Sequence, residues 1–183
     1  KKYFIAANLH NNQEVLPKWC STLLKFSNYV GNQNVHVSIY ESGSNDKTVE
    51  LLEDFKSKLN ERSISNSITL NGSTRGRRYR IDFLADVRNQ ALDSLYQLNV
   101  KYDFIIFLND VYFNLDDLLE LIMTRNGNYD AVCPMDYYWT FYDQFATRDS
   151  DGNPASSEFF PYFSSPDTVR EFRQFNPAPV YAC

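Results

Sequence analysis

Short β-rich runs alternate with stretches of helical apolar spacing along most of this sequence, and no other feature limits its fold as strongly. Lys2–Asn8 is β-rich, and Glu14–Val30 carries Val15, Trp19, Leu23, Phe26 and Val30 at helical spacing. Val35–Tyr40 alternates as a strand does. Lys47–Leu59 places Val49, Leu52, Phe55 and Leu59 on one helical face, and Ile64–Leu70 again suits a strand. A basic, glycine-containing loop, 71–80, leads to the longest helical pattern, Ile81–Leu98. Phe104–Leu108 reads as a buried strand and Leu115–Met123 as a helix with Asn114 as N-cap; Tyr129–Met135 reads as another strand. Strands separated by helices imply an α/β fold with a mainly parallel sheet flanked by helices.

The periodicity fails after Asp136. The remaining residues are rich in Tyr, Phe, Pro, Asp and Ser, and a region that long and irregular is usually functional. With 183 residues, against about 150 per domain, the chain is expected to be one domain. Within it, 1–135 would bind the nucleotide sugar implied below, and 136–183 would form the acceptor side.

Charge narrows the choice of partners. Eighteen basic and twenty-three acidic residues give a net charge of −5, which argues against nucleic acid as a general partner. No segment approaches the roughly 20 apolar residues of a membrane span. The chain begins at Lys1 rather than Met, so it is expected to be a fragment or a processed form, and its apolar Pro-Val-Tyr-Ala-Cys end is expected to continue. Cys20, Cys133 and Cys183 are too few and too scattered for a disulfide framework or a zinc site. Asn71-Gly-Ser is an N-glycosylation sequon, usable only in a secretory compartment.

Four constellations carry chemical meaning. A strand ends in Glu41-Ser42-Gly-Ser-Asn-Asp, a turn at a sheet's carboxyl edge, where ligands of open α/β sheets bind. Arg88 falls inside a stripe of Ile81, Leu84, Leu92 and Leu95; turned inward, its guanidinium needs an anion or a carboxylate. The run Phe104–Leu108 drives straight into Asn109-Asp110, which places a carboxylate at a strand end, suited to Mg²⁺ or Mn²⁺. The tract Asp136–Asp149 interleaves Asp136, Asp143, Arg148 and Asp149 with aromatics such as Trp139 and Tyr142, as sugar-binding surfaces do. Each also has a plain structural explanation: a capped turn, a snorkelling arginine, an Asx turn, a solvated loop. Neither His10 nor His36 has a catalytic partner in view.

In order, these stretches resemble a nucleotide-sugar glycosyltransferase of GT-A type. A more specific likeness is to fungal family 69, the cryptococcal α-1,3-mannosyltransferase and capsule-associated group. It rests on Tyr40-Glu-Ser-Gly-Ser44, Ile81-Asp-Phe-Leu-Ala-Asp-Val-Arg-Asn89, Phe107-Leu-Asn-Asp-Val111, Tyr129-Asp-Ala-Val-Cys-Pro-Met-Asp136, Phe141-Tyr-Asp143 with Arg148-Asp149, and Pro179-Val-Tyr-Ala-Cys183. The resemblance implies a Golgi-lumenal catalytic domain of a type II membrane protein, anchored outside this chain. It implies GDP-mannose as donor, a glycan acceptor, and Mn²⁺ or Mg²⁺ as cofactor. On that reading Glu41 contacts the nucleoside, Arg88 the diphosphate, Ser42 and Asn109 are further substrate-binding residues, and Asp110 holds the metal. Asp136, Asp143 and Asp149 are the catalytic candidates, and Tyr142 and Arg148 line the substrate. The Asp-x-Asp motif of many GT-A enzymes is reduced here to Asn109-Asp110-Val111. A catalytically silent glycan- or nucleotide-binding protein, or a xylosyl or sugar-phosphate transferase, remains the alternative.

Overall fold

The computed structural model describes all 183 residues. They divide into two compact units, Lys1–Leu115 and Asp116–Cys183. The functional division expected at 135/136 therefore lies inside the second unit.

The first unit is built on four parallel strands, β1 (Tyr3–Leu9), β2 (Val35–Glu41), β3 (Ser65–Thr69) and β4 (Phe104–Leu108), in the order β3-β2-β1-β4. Helices α1 (Leu16–Val30), α2 (Thr48–Glu61) and α3 (Arg80–Gln97) form the crossovers. This is the mainly parallel α/β sheet that the alternating pattern predicts. All seven residues of β2 are buried, as expected of an inner strand covered on both faces.

Alternation along the strands decides which residues meet which helix. Phe4, Ala6 and Tyr40 pack with Phe83, Val87 and Ala91 of α3. Beside the sheet, Trp19 of α1 meets Phe55 of α2 edge-on, with ring centroids 6.1 Å apart. His36 is buried in the layer beneath α3, stacked on Phe4 at 5.2 Å.

The buried stripe of α3 is Phe83, Val87, Ala91 and Ser94. The inward placement of Arg88 is therefore a correction: Arg88 is exposed, and Ile81 is too. Leu84, Leu92 and Leu95 only flank the buried face, which runs one residue to the side of the leucine stripe. The guanidinium is left in water over the ring of Phe107, 5.7 Å from its centroid.

The second unit contains α4 (Leu115–Met123, opening at the boundary), a hairpin of β5 (Tyr137–Tyr138) and β6 (Thr140–Phe141), the antiparallel pair β7 (Arg148–Asp149) and β8 (Val180–Ala182), and α5 (Pro166–Arg173). Here Phe141, Phe163 and Phe172 form an aromatic core, with Phe163 stacked on Phe172 at 5.6 Å. The strand expected over Tyr129–Met135 does not form. Pro134 has no N–H to give a ladder, and Cys133 is tied to Cys183 by a disulfide across 50 residues of sequence. Cys20 alone is free. Helix α5 lies in the stretch where periodicity fails, although Pro166 in its first turn is a legible start signal.

Candidate functional site

Four parallel strands bring their carboxyl ends to one edge, so the loops after β1, β2, β3 and β4 start together. Hydrogen bonds then lace the first two. Asn11 N donates to Ser44 Oγ at 2.9 Å and Asn45 N to Asn11 Oδ1 at 2.9 Å; Gln13 N donates to Asp46 Oδ2 at 3.1 Å. Asp46 also receives the N–H of Thr48 at 2.9 Å, at the start of α2. Burial pushes its carboxyl pKa up, but the hydrogen bonds from Thr48 and Gln13 outweigh this and hold it below the ordinary value.

Glu41 ends β2 and is fully buried. Its Oε1 accepts Ser44 N at 2.5 Å and its Oε2 accepts Asn71 N at 2.7 Å. Both oxygens thus hold backbone amides of this chain. Ser42 is buried too: its N and Oγ donate to the Leu9 carbonyl at 3.0 and 3.4 Å, and its own carbonyl lies 3.0 Å from His10 Nδ1. The Glu-Ser turn is therefore a brace for the edge, with its side chains turned inward.

The exposed chemistry sits after β4. Asn109 and Asp110 are both exposed. Trp19 Nε1 donates to the Asn109 carbonyl at 3.2 Å, and Arg88 reaches Asn109 Oδ1 at 3.5 Å. Asp110 Oδ2 accepts Asn12 Nδ2 at 3.1 Å. Asn12 is buried, and every polar group it has is used: N to Thr48 Oγ1 at 2.7 Å, Oδ1 from His10 N at 2.7 Å, and its carbonyl from Val15 and Leu16. Sequence reasoning missed Asn12. Its only signal was its place, four residues before the helix that follows β1.

In the second unit, Asp136 and Asp143 share a hydrogen bond between their side chains. Burial pushes the Asp136 carboxyl above its ordinary value, and the neighbouring Asp143 charge adds to this. The Tyr142 ring is exposed, while its N–H donates to the Asp136 carbonyl at 2.9 Å. Asp149 is separate from this pair and fully buried. Its Oδ1 accepts Asp151 N and Asn153 N, and its Oδ2 accepts Ser165 N and Ser164 Oγ, at 2.9–3.3 Å. Burial raises its pKa, and these donors more than reverse that. Arg148 Nη1 is spent on the carbonyls of Phe145 and Thr147 at 2.7 and 3.0 Å. The five edge residues Glu41, Ser42, Arg88, Asn109 and Asp110 thus belong to the first unit, and Asp136, Tyr142, Asp143, Arg148 and Asp149 to the second.

The fold and its polar edge define a parallel α/β protein with a ligand-type carboxyl edge. The chain matches the family described as cryptococcal mannosyltransferase 1 over residues 2–183, and it belongs to that family. It is 26% identical to alpha-1,3-mannosyltransferase CMT1 of Cryptococcus neoformans var. neoformans over 209 aligned positions, covering 99% of this chain and 44% of that protein. The chain thus spans less than half the length of this relative. Among solved structures it is similar to S. aureus TarS, with TM-score 0.41 and 17% identity over 76% of this chain and 24% of that one. A shorter form, TarS 1-349, gives TM-score 0.40 and 16% identity over 84% and 43%.

Proposed function

We propose that this chain is part of a glycosyltransferase that moves mannose from GDP-mannose to a mannosyl hydroxyl, forming an α-1,3 bond with retention. The setting is the Golgi lumen of a fungus making glycan or capsule polysaccharide, with a membrane anchor outside this chain. Membership of the mannosyltransferase family supports the class. The observation that carries the reading is Asn109-Asp110, exposed at the carboxyl edge and within reach of Arg88.

The transfer makes a bond from the acceptor oxygen to the anomeric carbon. It breaks the bond from that carbon to the β-phosphate, and it moves the acceptor's proton to a base. Arg88 has no carboxylate partner and is free to face the leaving phosphates. Asp110 is the single carboxylate of the loop between β4 and α4, and no group of three or more His, Cys, Asp or Glu side chains is clustered to hold a metal. One carboxylate still suits Mn²⁺ or Mg²⁺, which take phosphate and water oxygens for their other positions. Such an ion would neutralise phosphate charge as GDP departs. Of the acceptor-side carboxylates, Asp136 and Asp143 remain available, whereas the oxygens of Asp149 are committed to the fold. The metal motif, reduced to the one carboxylate of Asn109-Asp110-Val111, favours a second reading, a nucleotide- or glycan-binding protein without turnover.

Incubation with GDP-mannose, an α-mannoside and Mn²⁺ tests the proposal. Release of GDP together with a lengthened mannoside supports it, and GDP-mannose binding without release of GDP leaves the silent reading in its place.

A further inference from the structure

The loop 71–80 concentrates four arginines, Arg75, Arg77, Arg78 and Arg80, in a chain of net charge −5. Its stem is fixed to the sheet's carboxyl edge. Asn71 N donates to Glu41 Oε2, Gly72 N to the Glu41 carbonyl at 2.9 Å, and Ser73 N to Tyr40 Oη at 2.9 Å. Gly72 cannot be replaced without movement there, because a Cβ would lie 2.5 Å from Tyr40 Cζ and 2.7 Å from the Glu41 oxygen. A Cβ on Gly43 would likewise meet Thr74, so the stem also touches the β2–α2 turn.

Past Thr74 the chain folds back. Arg78 N donates to the Arg75 carbonyl at 3.0 Å, and Gly76 takes φ +53°. Only Arg78 is used inside the protein, paired with Asp86 and lying 5.5 Å over Phe83. Arg75, Arg77 and Arg80 are exposed and make no ion pair. Like charges held this close repel one another until an anion or salt intervenes. The anchored stem puts them at the edge where open α/β sheets bind phosphorylated ligands, and α3 begins at Arg80 with its positive end.

We propose that the Arg75–Arg80 turn is a clamp for the phosphates of a nucleoside diphosphate, with Arg75, Arg77 and Arg80 as its donors. The proposal rests on the nucleotide-sugar reading and adds phosphate ligands to it. Guanidinium forks match phosphate oxygens two at a time, which suits a diphosphate shared among several arginines.

Calorimetric titration in metal-free buffer isolates the clamp from Asp110. The probes are inorganic pyrophosphate, GDP and guanosine; the variants are Arg77→Gln, the triple change Arg75→Gln/Arg77→Gln/Arg80→Gln, and Arg62→Gln as an exposed arginine outside the loop. The triple variant should melt at or slightly above the wild type, since its side chains have no ion-pair partners to orphan and their mutual repulsion is relieved. It should lose about tenfold or more in affinity for pyrophosphate and GDP, with guanosine unchanged; Arg77→Gln should show part of that loss. Wild-type affinity in the triple variant overturns the clamp, as does an equal loss in Arg62→Gln, which would report net charge alone. GDP binding that depends on the loop, without any sugar transfer, would keep the clamp and sink the transferase reading.

Discussion

The Glu41 carboxylate reaches from the end of β2 to the backbone N–H of Asn71 at 2.7 Å, tying that strand to the loop that leaves β3. Its other oxygen holds Ser44 N, so one buried side chain sets two loops of the edge at once. Glu41→Ala would strand both amides. Losing an acceptor costs about 1–3 kcal/mol where the donor is buried, and less at the half-buried Ser44 and the exposed Asn71. Urea denaturation should therefore show a destabilised protein even without any nucleotide. Unchanged stability with weakened GDP binding would instead make Glu41 a direct ligand.

His36 predicts an acid response of the first unit. Burial pushes its pKa down from 6.5 to about 4, and the ring is held neutral on Phe4 between Ser65 Oγ at 2.8 Å and Ser94 Oγ at 3.3 Å. The folded state resists the proton that the unfolded chain accepts. Its stabilising share is thus complete above the unfolded value of about 6.5 and falls as pH drops towards 4, by about 3 kcal/mol in all. Denaturant midpoints measured across that window should decline, and His36→Gln should flatten the decline. A variant as acid-sensitive as the wild type would place the cause elsewhere.

The first unit was largely legible because its strands are parallel and separated by helices, so β1 and β4 read as apolar runs, β2 as an alternating strand and α2 as a one-sided helix. Arg88 misled because α3 carries two neighbouring apolar rows. Small residues, Ala91 and Ser94, complete the row that packs, while the more apolar leucine row only flanks it. Asp110 was legible as a polar break after an apolar strand. Asn12 was not, since a side-chain amide in a polar loop looks like any other until its partners are seen. The second unit is organised by a disulfide, two-residue strands and the donors around Asp149, none of which has a period.

Asp149 supplies the test of that second unit. Four donors converge on its two oxygens, and together they hold its pKa below the ordinary carboxylate value. A depressed carboxylate stabilises the fold above its unfolded pKa of about 4, and that contribution fades as pH falls through the folded value. Asp149→Asn keeps the shape but replaces one acceptor oxygen with a donor facing donors. It should lower the melting temperature by several degrees at pH 7, consistent with about 1–3 kcal/mol per unsatisfied group. A variant that melts normally but fails in sugar transfer would return Asp149 to the catalytic list.

Asp110 and Asn12 form the pair on which the metal assignment turns. Asn12 is buried and fully bonded, and its Nδ2 fixes one oxygen of the exposed Asp110 at 3.1 Å. If Asp110 is the protein's metal ligand, Asn12 sets the direction in which its free oxygen points. Asp110→Asn should then abolish Mn²⁺ binding measured by electron paramagnetic resonance, with little change in melting, because the side chain is exposed. Asn12→Ala should weaken Mn²⁺ about 10–100-fold, the usual scale for losing a partner that orients a ligand. It should also destabilise the protein, since the His10 N–H loses its acceptor, while the backbone N–H of residue 12 still serves Thr48. The double variant separates the two effects: with Asp110 already changed, removing Asn12 should cost stability and nothing further in metal affinity. Mn²⁺ binding that survives Asp110→Asn would remove both residues from the metal site and leave their hydrogen bond a tie between the loops after β1 and β4.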